Sequence, residues 1–128
     1  MKIDNLKNLN TEALAYMGDA VYEQAVRERL LVQGHARVDN LHRMAVRYVN
    51  AEAQAKAIKD LFDELTDDEQ RLVKRARNHR FHSKAKHADP VTYKWATAFE
   101  ALIGYYYLAD EDQRLDWFLR RTFCVIGD

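Results

Sequence analysis

The chain has 128 residues, of which 48% are hydrophobic and 11% aromatic, so it is long enough for one compact domain and too short for two. Its single cysteine, Cys124, excludes an internal disulfide framework and a cysteine-rich zinc site. The first residues lack the apolar segment of a secretory signal. The longest apolar stretch, 101–109, is about half as long as a membrane span. We therefore expect a cytoplasmic domain that does not contact a membrane.

The charges are unevenly distributed, although 20 basic and 20 acidic residues give a formal net charge of zero. Residues 60–69 contain six acidic residues and no basic one, whereas residues 71–94 contain eight basic residues and a single acid, Asp89. A phosphate backbone responds to this local field and not to the net charge. The pattern allows a polyanion partner, but a solvated helix beside an acidic turn would explain it as well.

The composition favours an all-α fold. Only four glycines and one proline are present, good helix formers are abundant, and no window alternates with the period of a strand. We expect one bundle of five to seven helices. The predicted helices cover residues 10 or 11 to 32, 39 to 49, 51 to 62, 66 to 78, 91 to 108 and 112 to 123, with a loop over residues 79–90.

Capping residues define several of these helix starts. Asp39 and Asn50 are good N-caps, and Thr66 with Glu69 forms a capping box, in which each side chain bonds the other residue's backbone N–H. The predicted apolar stripe of the first helix consists of Leu14, Met17, Val21 and Ala25. The stripe of the helix over residues 91–108 consists of Trp95, Phe99, Leu102 and Tyr106.

Acidic residues fall opposite these stripes, and two of them lie close to glycines. On the first helix they are Glu12, Asp19 and Glu23, and on the later helix Glu100 lies opposite the stripe with Thr97. Gly18 precedes Asp19 in mid-helix, where glycine costs about 1 kcal/mol relative to alanine, and Gly104 follows Glu100 by one turn. Tyr16 and residues 105–107 add aromatic rings to faces that should be wet. This combination favours a site or a subunit contact over a solvated face.

Three segments resemble the ribonuclease III family. The segment from Leu14 to Val21, Leu-Ala-Tyr-Met-Gly-Asp-Ala-Val, is similar to the signature helix of that family, and Ala98–Gly104, Ala-Phe-Glu-Ala-Leu-Ile-Gly, is similar to its second acidic helix. Between them, Lys74–Asn78 resembles the Lys-Arg-Gly-Arg-Asn segment of the short Mini-ribonuclease III branch. The resemblance implies an all-α ribonuclease III-like endonuclease domain over residues 1–128. It also implies that no double-stranded-RNA-binding domain is appended.

The resemblance also implies which residues form the site. The family holds magnesium with four carboxylates, and Asp19 and Glu100 occupy two of those places as catalytic and metal-binding residues. Ala15 and Thr97 stand where the other two acids are expected. Magnesium held by few protein ligands and several waters remains chemically sufficient for phosphodiester hydrolysis. In this family an aromatic residue three positions before the aspartate inserts into a partner subunit, so Tyr16 is expected at a homodimer interface.

A basic segment is suited to binding duplex RNA, which proteins read through its backbone and minor-groove shape. The candidate RNA-binding residues are Arg75, Arg77, Asn78, Arg80, Lys84 and Lys86.

The sequence thus predicts a homodimeric, magnesium-dependent endoribonuclease that cleaves double-stranded RNA and leaves 5′-phosphate and 3′-hydroxyl ends. The resemblance suggests maturation of large-subunit (23S) ribosomal RNA, with or without help from a ribosomal protein. Two alternatives stay open. The first is a non-catalytic dimer with the same fold that binds duplex RNA, and the second is a helical protein-interaction domain.

Overall fold

The computed structural model describes residue 6, residues 9–79 and residues 89–127. These residues form six α-helices and contain no strand, so the predicted all-α bundle is confirmed. The helices are α1 (Thr11–Val32), α2 (Val38–Val49), α3 (Ala51–Leu61), α4 (Asp67–Asn78), α5 (Pro90–Leu108) and α6 (Asp112–Ile126), with a 3₁₀ turn at Phe62–Glu64.

Three of the helix starts carry side-chain caps, of which those at Asn50 and Thr66 were expected from the sequence. The Asn10 side chain accepts a 2.8 Å hydrogen bond from the Ala13 N–H, and the Asn50 side chain accepts one of the same length from the Ala53 N–H. At α4 the predicted capping box of Thr66 and Glu69 is complete. These caps satisfy backbone donors that a helix start leaves unpaired.

The start of α2 differs from the prediction. The helix begins at Val38, its N-cap is Arg37, and no side chain caps it. Asp39 lies instead in the first turn, where its carboxylate favourably faces the positive end of the helix dipole. At α5, Asp89 is the N-cap and accepts a 3.0 Å hydrogen bond from the Thr92 N–H, with Pro90 as the first helical residue.

Helix α5 is the centre of the bundle, because α1, α3, α4 and α6 all pack against it. Residues 96–99 and 101–104 are therefore buried on every side of the helix. The predicted wet face of α5 was wrong for this reason: Thr97 is buried, and Tyr105 and Tyr107 are half-buried. Tyr106 is buried, as its place on the predicted apolar stripe requires. The apolar stripe of α1 was also displaced, since Tyr22, Val26 and Leu30 are buried together with Leu14, whereas Met17, Val21 and Ala25 are only partly buried.

Two glycines allow α1 and α5 to cross with their backbones in contact. A Cβ atom on Gly18 would lie 1.7 Å from the carbonyl oxygen of Glu100, and one on Gly104 would lie 1.9 Å from the carbonyl oxygen of Leu14. No side chain fits at either position, which accounts for glycine in two mid-helix places where it costs stability. Because Leu14 lies at Gly104 and Gly18 lies at Glu100, the two helices run antiparallel at this crossing.

An ion pair with a buried carboxylate connects α6 to the start of α4. Glu69 is buried, and Arg114 donates to its two carboxylate oxygens over 3.0 and 2.6 Å. Burial alone would raise the pKa of Glu69, but the bonds from Arg114 and from the Thr66 N–H outweigh it and hold that pKa below its usual value. Within the part of the chain that the structure describes, no helix has the length and apolar character needed to cross a bilayer.

Candidate active site

The α1–α5 crossing brings together the two acids that the sequence singled out. Asp19 directly follows Gly18, and the Gly18 backbone lies against the backbone of Glu100. The two acidic residues are consequently neighbours at the crossing, with Glu100 half-buried and Asp19 exposed. Asp19 and Glu100, which are far apart in the sequence, thus form one acidic pair where the buried contact between α1 and α5 reaches the surface.

Burial and neighbouring acids oppose ionisation of Glu100. Burial, followed by the hydrogen bond and the negative charge of Asp19, raises the pKa of Glu100 to about 9. Glu23, one turn beyond Asp19 on α1, adds further negative charge. Glu100 therefore retains its proton at neutral pH unless a cation compensates the negative charge around it.

Gln54 is a third member of the site, and the sequence reading missed it. Its side chain comes from α3, is 4% exposed, and lies close enough to Glu100 to lower the pKa of that acid. A signal was present in the sequence, because Gln54 continues the apolar stripe of Ile58 and Leu61 and is the one polar residue in that stripe. A glutamine on a buried stripe needs a polar partner inside the protein.

The other residues near the two acids do not complete the family's set of four carboxylates. Ala15 is buried beside the crossing, and the hydroxyl of the buried Thr97 donates to the carbonyl of Tyr93 over 2.9 Å. Glu12 lies 2.9 Å from the Nε2 atom of His79, so it joins the start of α1 to the end of α4.

Asp19 and Glu100 fit a magnesium ion that keeps most of its water. Carboxylate oxygens are the donors that this hard cation prefers, and one or two of them are a common protein contribution at magnesium sites that also bind phosphate. No cluster of three or more histidine, cysteine or acidic side chains suited to a metal is present among the described residues.

The structure describes three of the six candidate RNA-binding residues, and all three lie near the end of α4. Arg75 and Asn78 are exposed. The Arg77 guanidinium lies 4.9 Å from the centre of the Trp95 ring and donates to the Asn78 side chain over 3.2 Å. Lys59 approaches the same ring within 5.6 Å, so cationic side chains surround an aromatic surface here. The other three candidates, Arg80, Lys84 and Lys86, lie outside the described residues.

Tyr16 is 83% exposed on α1, one turn before Asp19. A tyrosine ring this exposed on an otherwise well-packed helix has no packing role among the described residues of its own chain. Its position agrees with the expected contact to a second subunit, which itself stays a prediction.

Known proteins are similar to this chain over nearly its whole length. The family described as the Ribonuclease III domain matches residues 12–111, a segment that contains Asp19, Glu100 and both glycines of the crossing. The Mini-ribonuclease 3 of Symbiobacterium thermophilum is 50% identical over 115 residues, which cover 90% of this chain and 88% of the relative. The Mini-ribonuclease 3 of Staphylococcus aureus is 37% identical over 127 residues, which cover 98% and 95% of the two chains.

A solved structure agrees with these matches. The crystal structure of a Fusobacterium nucleatum protein superposes with a TM-score of 0.85 at 26% identity, covering 94% of this chain and 93% of that protein. The helical architecture around the acidic pair is therefore shared with a protein that differs at most positions.

Proposed function

The chain belongs to the ribonuclease III family, in its Mini-ribonuclease III branch, and on this premise we propose that it is a magnesium-dependent endoribonuclease that cleaves double-stranded RNA. The single observation that carries the proposal is the pairing of Asp19 with Glu100 at the α1–α5 crossing. A divalent cation would offset the neighbouring negative charge that raises the pKa of Glu100, so its binding would favour the ionised carboxylate. The products are fragments with 5′-phosphate and 3′-hydroxyl ends.

The residues of the site have different functions. Asp19 and Glu100 hold the metal, and the buried Gln54 lowers the pKa of Glu100. When bound, magnesium would offset the negative charge of the phosphoryl oxygens and lower the pKa of water, so that hydroxide is available to attack the phosphate at neutral pH. Arg75, Arg77 and Asn78 supply donors for phosphates and 2′-hydroxyls, together with the candidates at 80, 84 and 86. We place the protein in the cytoplasm, where maturation of 23S ribosomal RNA would use a homodimer with one site facing each strand.

Cleavage of a perfect RNA duplex, with magnesium and then with EDTA, tests this function. We expect the wild type to cut only with magnesium and Asp19→Asn to abolish cleavage while duplex binding stays within a few-fold, because the substitution removes charge but keeps shape. Asp116→Asn is the matched control, since Asp116 is an exposed acid on α6 and should leave the rate unchanged. Turnover by Asp19→Asn at saturating magnesium would rule out Asp19 as a catalytic residue.

The non-catalytic RNA-binding dimer is the second candidate, and the buried Ala15 and Thr97 in place of two acids favour it. It predicts that the wild type binds duplex RNA but never cuts it, with or without magnesium. A protein that does neither would instead support the protein-interaction domain.

A further inference from the structure

We propose that a cation–aromatic cluster, formed by Lys59, Lys74 and Arg77 around the rings of Phe62 and Trp95, is a further contact surface for duplex RNA. The inference rests on the proposed function, because it takes duplex RNA as the substrate. It extends the RNA-binding surface from the end of α4 onto α3 and the start of α5.

Two aromatic rings form the base of the cluster. Phe62, in the 3₁₀ turn after α3, meets the Trp95 ring of α5 edge to face, with 6.4 Å between the ring centres. This is a favourable arrangement for two aromatic side chains. Both residues are partly buried, so the packing of α3 against α5 fixes the rings in place while part of each stays at the surface.

Three cations lie against these rings. The Lys59 Nζ atom is 5.6 Å from the centre of the Trp95 ring, and the Arg77 guanidinium is 4.9 Å from the same centre. The Lys74 Nζ atom is 5.7 Å from the centre of the Phe62 ring. An aromatic ring attracts a cation through its quadrupole and carries no net charge. The two rings therefore hold the cations in position without neutralising them.

The acidic segment of residues 60–69 does not neutralise the cluster either. Four of its acids form ion pairs with cations outside the cluster: Asp60 with Lys56, Glu64 with Arg121, Asp68 with Arg71 and Glu69 with Arg114. Among the residues that the structure describes, no carboxylate lies within ion-pairing distance of Lys59, Lys74 or Arg77. The three cations of the cluster thus stay available to an external anion.

The phosphates of duplex RNA fit this arrangement. A side chain that is already held in place loses less conformational freedom on binding, and contacts to phosphate depend on charge and not on base sequence. The cluster adjoins the RNA-binding candidates of α4, because Arg77 belongs to both. Trp95 also lies five residues, or about 7.5 Å of helix, from Glu100 on α5. A duplex bound at the acidic pair therefore has phosphates within reach of the cluster.

The decisive comparison is between Lys59→Gln and Lys56→Gln, since each removes one exposed positive charge from α3. Lys56 is the matched control, because it pairs with Asp60 over 3.1 Å and lies against no ring of the cluster. Duplex RNA binding is measured in EDTA between about 50 and 200 mM salt. We expect the slope of log affinity against log salt to fall by about 1 in Lys59→Gln and by about 2 when Lys74→Gln is added. Lys56→Gln should keep the wild-type slope.

The melting temperature and the cleavage assay separate this proposal from its alternatives. A cation–ring contact that only stabilises the fold would lower the melting temperature of Lys59→Gln and leave its salt slope unchanged, which would overturn the proposal. A wild type that cuts duplex RNA, combined with equal slopes in all variants, would refute the cluster and keep the nuclease function. A wild type that binds RNA but never cuts it would refute the nuclease function, while lower slopes in the cluster variants would still support the cluster.

Tryptophan fluorescence tests the cluster with its cations intact. The chain has two tryptophans, and both are partly buried with a cation against the ring, since the Arg114 guanidinium lies 4.2 Å from the centre of the Trp117 ring. Arg114, however, is paired with Glu69. In Trp117→Phe, saturating duplex RNA should change the emission of Trp95, whereas in Trp95→Phe it should leave that of Trp117 unchanged. An unchanged Trp95 emission, or an equal change at both rings, would overturn the proposal.

Discussion

The environment that Glu100 has in the proposed active site lowers the stability of the folded protein. Its pKa rises from 4.5 to about 9 on folding, so between these pH values the unfolded chain has lost the proton while the folded chain retains it. Ionisation therefore favours the unfolded chain, and this contribution lowers stability as the pH rises from about 4.5 to 9 and stays constant above that range. Active sites commonly carry such a cost.

We expect Glu100→Gln to stabilise the metal-free protein, because glutamine keeps the shape of the side chain without its ionisation. In EDTA its melting temperature should exceed that of the wild type at pH 8, and the difference should vanish near pH 4.5. Magnesium should raise the melting temperature of the wild type and have little effect on the variant. Glu52→Gln, at an exposed position of α3, serves as the control and should show no such dependence. A wild type that is more stable than Glu100→Gln at pH 8 without metal would contradict this account.

The contact between α1 and α5 depends on two positions without side chains. Gly18→Ala would place a methyl group 1.7 Å from a backbone oxygen of the opposite helix, and neither backbone can move without separating Asp19 from Glu100. We expect both a clear loss of melting temperature and a loss of cleavage. Gly34→Ala is the instructive control, because Gly34 has a φ of 97° and open space around it. That substitution should cost about 1–2 kcal/mol of strain and keep the activity. Full activity in Gly18→Ala would mean that the crossing does not position the acids.

The link between α4 and α6 depends on one buried charge pair. Arg114→Met would leave Glu69 buried without its bidentate partner, which typically costs roughly 3 kcal/mol or more. Arg120→Met removes an exposed pair with Asp116 and should cost less than about 1 kcal/mol. Urea denaturation of the two variants measures both values. Equal stability of the two variants would show that the buried pair adds nothing beyond an exposed one.

The sequence predicted where the helices begin and end better than it predicted which of their faces are buried. Local signals such as Asn50 and the Thr66 capping box are complete within four residues, so they could be recognised directly in the sequence. The burial of α5 on all sides could not be predicted in this way, because it results from packing against four helices that lie elsewhere in the chain. For the same reason Asp19 and Glu100 were found through their flanking motifs, whereas Gln54 acquires its role only when α3 packs against α5.

On the scale of the whole molecule, Tyr16 is the residue we expect to govern assembly. Its exposed ring would bury a large area against a second subunit with a single polar atom to satisfy, so Tyr16→Ala should shift the protein from dimer to monomer. Val32→Ala is the control, since Val32 is 87% exposed on the same helix and should leave assembly unchanged. Sedimentation at micromolar concentration distinguishes the two species. An undisturbed Tyr16→Ala dimer would remove Tyr16 from the interface.

The antiparallel crossing of α1 and α5 also decides when the proposed enzyme becomes active during its synthesis. Chains emerge from the ribosome N-terminus first, so Asp19 leaves long before Glu100, and neither acid has its partner until α5 has emerged and docked. A nascent or truncated chain that ends before α5 therefore lacks the acidic pair, however well its first four helices fold. The fold thus delays the appearance of the site until α5 has been synthesised and has docked against α1.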